Sequence, residues 1–182
     1  APVANRFQIA SNITPTSYVS HHTAMEYYGI TDQIYYDVYV ASETGFREFE
    51  FDGYTYCYVA SKCKLGIENV HYSGGVRITD KERTTLDSIK DMDKISGIEE
   101  VLANIDGFTS LNEEKLTGYL QEYHNQFLYQ KTGFILYPYR DKLGLSHSFF
   151  EMCQYKTGKS KRYLTKEFTN GTYIKEWKLV VP

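Results

Sequence analysis

The apolar pattern of this 182-residue chain changes period once, at Ile78-Thr79, and that change constrains the fold class more than any other feature. Before it, apolar and polar residues alternate in short runs, the period of half-buried strands. Ile34, Tyr36, Val38 and Val40 alternate with Tyr35, Asp37 and Tyr39, which predicts a strand over 34–41. Phe49 and Phe51 alternate with Glu48, Glu50 and Asp52 in a second run over 46–51. Asp52-Gly53 is a two-residue hairpin signal, because both positions tolerate the positive φ of a type I′ turn, and it predicts a return strand over 54–60. Ser73-Gly74-Gly75 separates a further short pair, 67–72 and 76–78.

After Ile78 the spacing becomes helical. Thr79-Asp80-Lys81-Glu82 has the form of a capping box, with Thr79 as the cap, and Leu86, Ile89 and Met92 follow on one face. Further helices are expected over 95–105, 112–123, 126–137 and 144–153, and a strand over 173–181. In the first part, 6–13 is expected to be a short helix or turn. Ser20 is placed to cap a second helix by side-chain oxygen, and Gly29 supplies its left-handed stop. The expected fold is therefore α+β, with a small, mainly antiparallel sheet in the N-terminal half. A helical cluster packs with it, and a C-terminal strand closes the chain. The expected organisation is one domain, 1–182, with a strand-rich part over 1–78 and a mainly helical, basic part over 79–182.

No apolar run approaches the ~20 residues of a membrane span, and no charged-then-apolar leader opens the chain, so a cytoplasmic protein is expected. Cys57, Cys63 and Cys153 are odd in number and lack metal-ligand spacing, which points to packing thiols. Most of the 18 tyrosines are expected at half-wet strand positions. Charge divides unevenly: residues 1–128 carry 10 basic and 19 acidic side chains, residues 129–182 carry 10 and 4. Such a split suits either an anionic partner for the second part or two lobes that attract each other.

Candidate chemistry is sparse. His21-His22 are about 100° apart on a helix and make a poor metal pair, so solvent-facing positions in the first turn are expected. Glu48, Glu50 and Asp52, with Lys62 beyond, have the residue types of a metal-dependent nuclease, yet three acids at period two also describe a solvated strand face. Asp80 and Glu82 are accounted for by capping and the helix dipole. No catalytic residues, metal or cofactor are assigned. The charged constellation that suits binding is Lys156, Lys159, Lys161, Arg162 and Lys166, interleaved with Gly, Ser, Thr and Tyr163. Mobile cations in such a loop suit nucleic-acid phosphates, which need charge more than fixed geometry.

Three signatures stand in order: Thr14-Pro15-Thr16-Ser17-Tyr18-Val19-Ser20 with Ala24, Gly29 and Ile30; Arg77 to Asp87, with Glu82, Arg83, Leu86 and Asp87; and Gly171-Thr172-Tyr173 leading to Trp177-Lys178-Leu179. In this order and spacing the chain resembles the C-terminal domain of AbiEi-family antitoxins, over roughly residues 6–181. The resemblance implies a non-enzymatic domain of a bacterial toxin–antitoxin, phage-defence system. It counters a nucleotidyltransferase toxin without a stable complex, and its family also regulates transcription from the operon's own promoter. That promoter binding belongs to an N-terminal winged helix, and nothing before Arg6 matches one. The chain opens on Ala1-Pro2-Val3 and is expected to be a fragment lacking it. The alternative expectation is a protein-interaction module of another regulator, using the tyrosine-rich sheet as its surface.

Overall fold

The structure is a computed structural model that describes residues 4–71, 74–168 and 170–182. It is α+β, and the chain divides into two compact units, Ala1–Thr84 and Thr85–Pro182.

The first unit is built on a six-stranded mixed sheet of β1 (Tyr18–Val19), β2 (Asp37–Ser42), β3 (Phe49–Phe51), β4 (Tyr54–Ala60), β5 (Ile67–Val70) and β6 (Val76–Thr79), ordered β3-β4-β2-β1-β6-β5. Three pairings are antiparallel; β1/β6 and β2/β4 are parallel. The Asp52-Gly53 turn forms as expected, with φ of 51° and 81°, and sets Phe51 opposite Tyr54. The strand expected over 34–41 begins only at Asp37; Ile34 and Tyr36 are exposed beside it. Of the expected 67–72 strand and its turn, Tyr72 and Ser73 lie outside the described residues. β1 was not expected as a strand, because two residues carry no period, yet it lies inside the sheet.

Helices α1 (Arg6–Ser11) and α2 (His21–Tyr27) flank β1 in sequence. Ala10, Val19, Ala24, Val38, Val40, Tyr56, Val76 and Ile78 form one buried cluster. Gly29 takes φ 70°, and the amides of Gly29 and Ile30 return to the carbonyls of Glu26 and Met25, closing α2 with the glycine stop expected. Ser20 is the N-cap of α2, but its hydroxyl contacts His21 Nδ1 at 2.8 Å instead of capping an amide. The solvent-facing expectation for the histidines is also corrected: His21 and His22 are 2% and 5% exposed. His22 stacks on Tyr35 at 4.0 Å, meets Tyr39 edge-on, and has Nε2 3.1 Å from the Asp37 carbonyl. Tyr35 just ahead of β2 and Tyr39 within it thus pack on this ring.

Helix α3 (Lys81–Lys90) begins where the period changes, although its cap differs from the one expected. Asp80 Oδ1 accepts from the Arg83 amide at 2.7 Å, while the Thr79 hydroxyl contacts that of Thr84. An acid beside the helix N-terminus has the better-charged acceptor, so Asp80 takes the role assigned to Thr79.

The second unit contains α4 (Ile98–Asp106), α5 (Glu113–Tyr123), α6 (Gln126–Leu136), α7 (Arg140–Leu143) and α8 (His147–Lys156), with α6 against α8, and Leu86, Ile89, Leu116, Leu120, Leu136 and Phe150 are among its buried residues. Asn112, Asn125 and Ser146 cap α5, α6 and α8 by side-chain oxygens. Gly97 at φ 76° delays α4 to Ile98, and Gly144 at φ 71° ends α7, so the helix expected over 144–153 starts after the Ser146 cap. The expected closing strand is interrupted. β8 (Thr172–Ile174) and β9 (Leu179–Val181) form a hairpin around a 175–178 turn, and β7 (Arg162–Tyr163) joins β9 in parallel. Lys178 at φ 51° and buried Trp177 break the alternation.

Candidate nucleic-acid interface

The basic segment belongs to the second unit and starts where α8 ends. Thr157 is buried and returns its hydroxyl to the Cys153 carbonyl at 2.7 Å. Gly158 then reverses the backbone at φ 80°, and Lys178 Nζ donates to its carbonyl at 2.7 Å. A side chain at Gly158 would also strike Gln126. This anchored turn leaves Lys156, Lys159 and Lys161 exposed. Tyr155 is 84% exposed, with the Lys156 ammonium 5.9 Å from its ring centre. An accessible ring beside a cation suits a base stacked next to its phosphate. Tyr155 was not singled out from sequence; its place beside the lysine run was the available signal.

Arg162 behaves differently. Its guanidinium turns inward, donating to Gln130 Oε1 at 2.9 Å and Gln126 Oε1 at 3.3 Å, and lies 5.9 Å from the Phe127 ring centre. The two glutamines are four residues apart on α6, so they present neighbouring acceptors. Gln130 itself donates to the Trp177 and Lys178 carbonyls at 2.8 Å. Arg162 therefore ties β7 to α6.

Lys166 is brought beside residues far away in sequence. Its amide donates to Asp93 Oδ2 at 3.2 Å, and the residue lines a cleft of about 140 Å³ with Lys90, Lys94, Lys131, Asp91 and Asp93. Lys131 is 5% exposed, donates to the Lys90 carbonyl at 3.0 Å, and lies 4.3 Å from the Phe127 ring centre. Burial pushes its pKa down to about 8 from the usual 10.5, against the pull of Asp93 and Asp91. Sequence reasoning missed this residue. Its signal was a lysine on the apolar stripe Leu128, Lys131, Ile135. The cleft's lysines outnumber its aspartates, and Lys90 pairs with Asp91 at 3.3 Å.

The acidic candidates lie apart from this segment, in the first unit. Glu48, Glu50, Asp52 and Lys62 are exposed on and around the β3–β4 hairpin. Among the described residues, no group of three His, Cys, Asp or Glu side chains is arranged to hold a metal ion. Burial pushes the Cys57 and Cys153 thiols up to about 12, which favours their protonated form near neutral pH.

The first two sequence signatures meet inside the first unit. Val19 pairs with Ile78, and the Tyr18 hydroxyl accepts from Arg83 Nη2 at 2.8 Å. The third signature closes the small sheet of the second unit. Gly171 passes so close to the Val181 backbone that a β-carbon there would overlap its carbonyl, and Trp177 lies against Gly133 of α6.

No family model matches the chain, and no curated protein matches it. Among solved structures it is similar to the crystal structure of the RV2827C protein from Mycobacterium tuberculosis, with a TM-score of 0.64 and 12% sequence identity. The similarity covers 91% of this chain and 62% of that one. The likeness is one of fold. This chain spans about six-tenths of that protein's length. Among the described residues, no helix is long and apolar enough to cross a membrane.

Proposed function

We propose that this chain is an antitoxin domain of the AbiEi type, acting without catalysis in a bacterial toxin–antitoxin and phage-defence system. Its role is to counter a nucleotidyltransferase toxin without a stable complex, in the cytoplasm, while the basic segment adds contact with nucleic-acid backbone. The carrying observation is the meeting of two of the three family-like signatures: residues 14–20 and 77–87 form one hydrogen-bonded unit through Val19, Ile78, Tyr18 and Arg83. Residues that merely capped separate helices would have no need of each other; these do. Exposed Lys156, Lys159 and Lys161 beside Tyr155 support the nucleic-acid part. Transcriptional regulation, in this reading, requires a promoter-binding winged helix joined to this domain. The proposal is tested by expressing the chain beside a candidate nucleotidyltransferase toxin gene: restored growth supports it, and continued arrest with both proteins present contradicts it.

A second reading is favoured by the open edge of the large sheet. β3 is an edge strand whose three residues are all exposed, Phe49 and Phe51 by 37% and 52%, and elsewhere in the unit, ahead of β2, Ile34 and Tyr36 stand 73% and 66% exposed. An edge with free backbone groups and apolar side chains suits strand addition by a partner protein. Association that persists at high salt and is lost on changing Tyr36 and Phe51 to Ser favours this interaction module over the antitoxin.

A further inference from the structure

The second unit also contains a cleft of about 400 Å³ whose chemistry is opposite to that of the basic segment. Buried Trp177 and Phe150 contribute to its lining, together with Phe134 and Tyr137. Tyr137 and Phe150 meet at 90° with ring centres 5.2 Å apart, so ring edges and faces are both presented. Two carboxylates complete it, Glu151 from α8 and Glu176 from the β8–β9 turn, both exposed. Residues 129–182 contain four acidic side chains in all, and two of them line this one cleft. The basic group nearest to them in the lining is His147, which contacts Glu151 at 3.1 Å and carries charge only when protonated. Among the described residues, no Arg or Lys is in the lining. Arg140 stacks on Tyr137 at 4.1 Å from outside it, the same guanidinium-on-ring contact that the cleft offers a guest.

We infer that this cleft receives an arginine side chain from a partner protein. Aromatic faces attract a cation through their quadrupole, and the planar guanidinium stacks on them while its edge donates to a carboxylate. A lysine ammonium is more strongly hydrated and gains less from the rings. A nucleotide fits the rings but brings a phosphate within a Debye length of Glu151 and Glu176, where like charge opposes it. An arginine seated against buried aromatics with a carboxylate at the rim is the usual composition of an interface anchor. The inference is independent of the antitoxin reading, since it uses none of the three signatures except Trp177.

Trp177 is the chain's single tryptophan, so its indole N–H gives one resolved resonance from a residue that lines this cleft. The full chain is titrated with a blocked glycyl-arginyl-glycine peptide, with its norleucine counterpart, and with adenosine monophosphate. The expected result is a saturable shift of the Trp177 signal with the arginine peptide and little with the other two. The double variant Glu151→Gln/Glu176→Gln, at exposed positions that leave the core untouched, weakens that binding about fivefold or more. No shift, an equal shift with norleucine, a shift with the nucleotide alone, or unchanged affinity in the double variant would each overturn the inference.

Discussion

The Arg83 guanidinium donates to the Tyr18 hydroxyl across 2.8 Å, although the residues stand 65 positions apart, and Arg83 is 0% exposed. The same group reaches Ser61 Oγ at 3.0 Å and the carbonyls of Cys63 and Leu65 at 3.1 and 2.7 Å. It therefore gathers the strand β1, the 61–65 loop and the start of α3 around one buried cation.

Arg83→Met is expected to cost about 3–5 kcal/mol of stability, because a broken buried network leaves acceptors without donors. Tyr18→Phe removes one hydroxyl and is expected to cost about 1–2 kcal/mol. Urea unfolding of both variants and of the double variant measures the coupling. Additive effects would show that the two residues do not act together.

Gly133→Ala tests the seat of Trp177. A β-carbon at this position would overlap the indole ring. Alanine favours a helix over glycine by about 1 kcal/mol, yet overpacking costs about 1–3 kcal/mol. The expected outcome is a lower melting temperature with a changed Trp177 fluorescence spectrum. An increase in melting temperature would mean that the ring yields freely.

Within the basic segment the lysines and the arginine are expected to separate. Changing Lys156, Lys159 and Lys161 to Ala should reduce the log–log salt slope of duplex DNA binding by about 0.9 for each lost phosphate contact, with unchanged stability. Arg162→Ala should lower stability, because Gln126 and Gln130 lose their donor, while the slope changes little. Measured slopes that fall equally for all four residues contradict this division.

Lys131 makes stability depend on alkaline pH. Its folded pKa, about 8, lies below the ordinary 10.5, so between these values the unfolded chain binds more protons than the folded one. Stability from this group therefore rises as pH increases from about 8 to 10.5, and its penalty is full below about pH 8. Comparing wild type with Lys131→Met by urea unfolding across that range isolates the contribution. The two curves should converge toward high pH, with the variant at least as stable near neutrality; parallel curves contradict the assignment.

Local chemistry was legible where one residue type had one use. The return strand β4 spans Tyr54–Ala60 as read, since Asp52-Gly53 fixes the register of its hairpin. Gly29 stops α2. Pairings between distant segments were not legible: β1 is two residues long, and its parallel partner Ile78 lies beyond four other strands in the chain. Trp177 read as one more strand residue because alternation does not reveal that an indole is drawn under α6. At the site, Lys156, Lys159 and Lys161 could be read from charge alone, since exposure asks little of the rest of the fold. The inward turn of Arg162 depends on two glutamines of another helix, and the burial of Lys131 depends on what packs around it. Such roles are set by tertiary neighbours and leave only faint marks in sequence.

The most direct test of the antitoxin proposal is colony formation by cells in which a candidate nucleotidyltransferase toxin is induced, with and without this chain. The account predicts that the chain alone restores growth by orders of magnitude and does not co-purify with the toxin. Continued growth arrest in the presence of folded, soluble chain and demonstrably active toxin would contradict it.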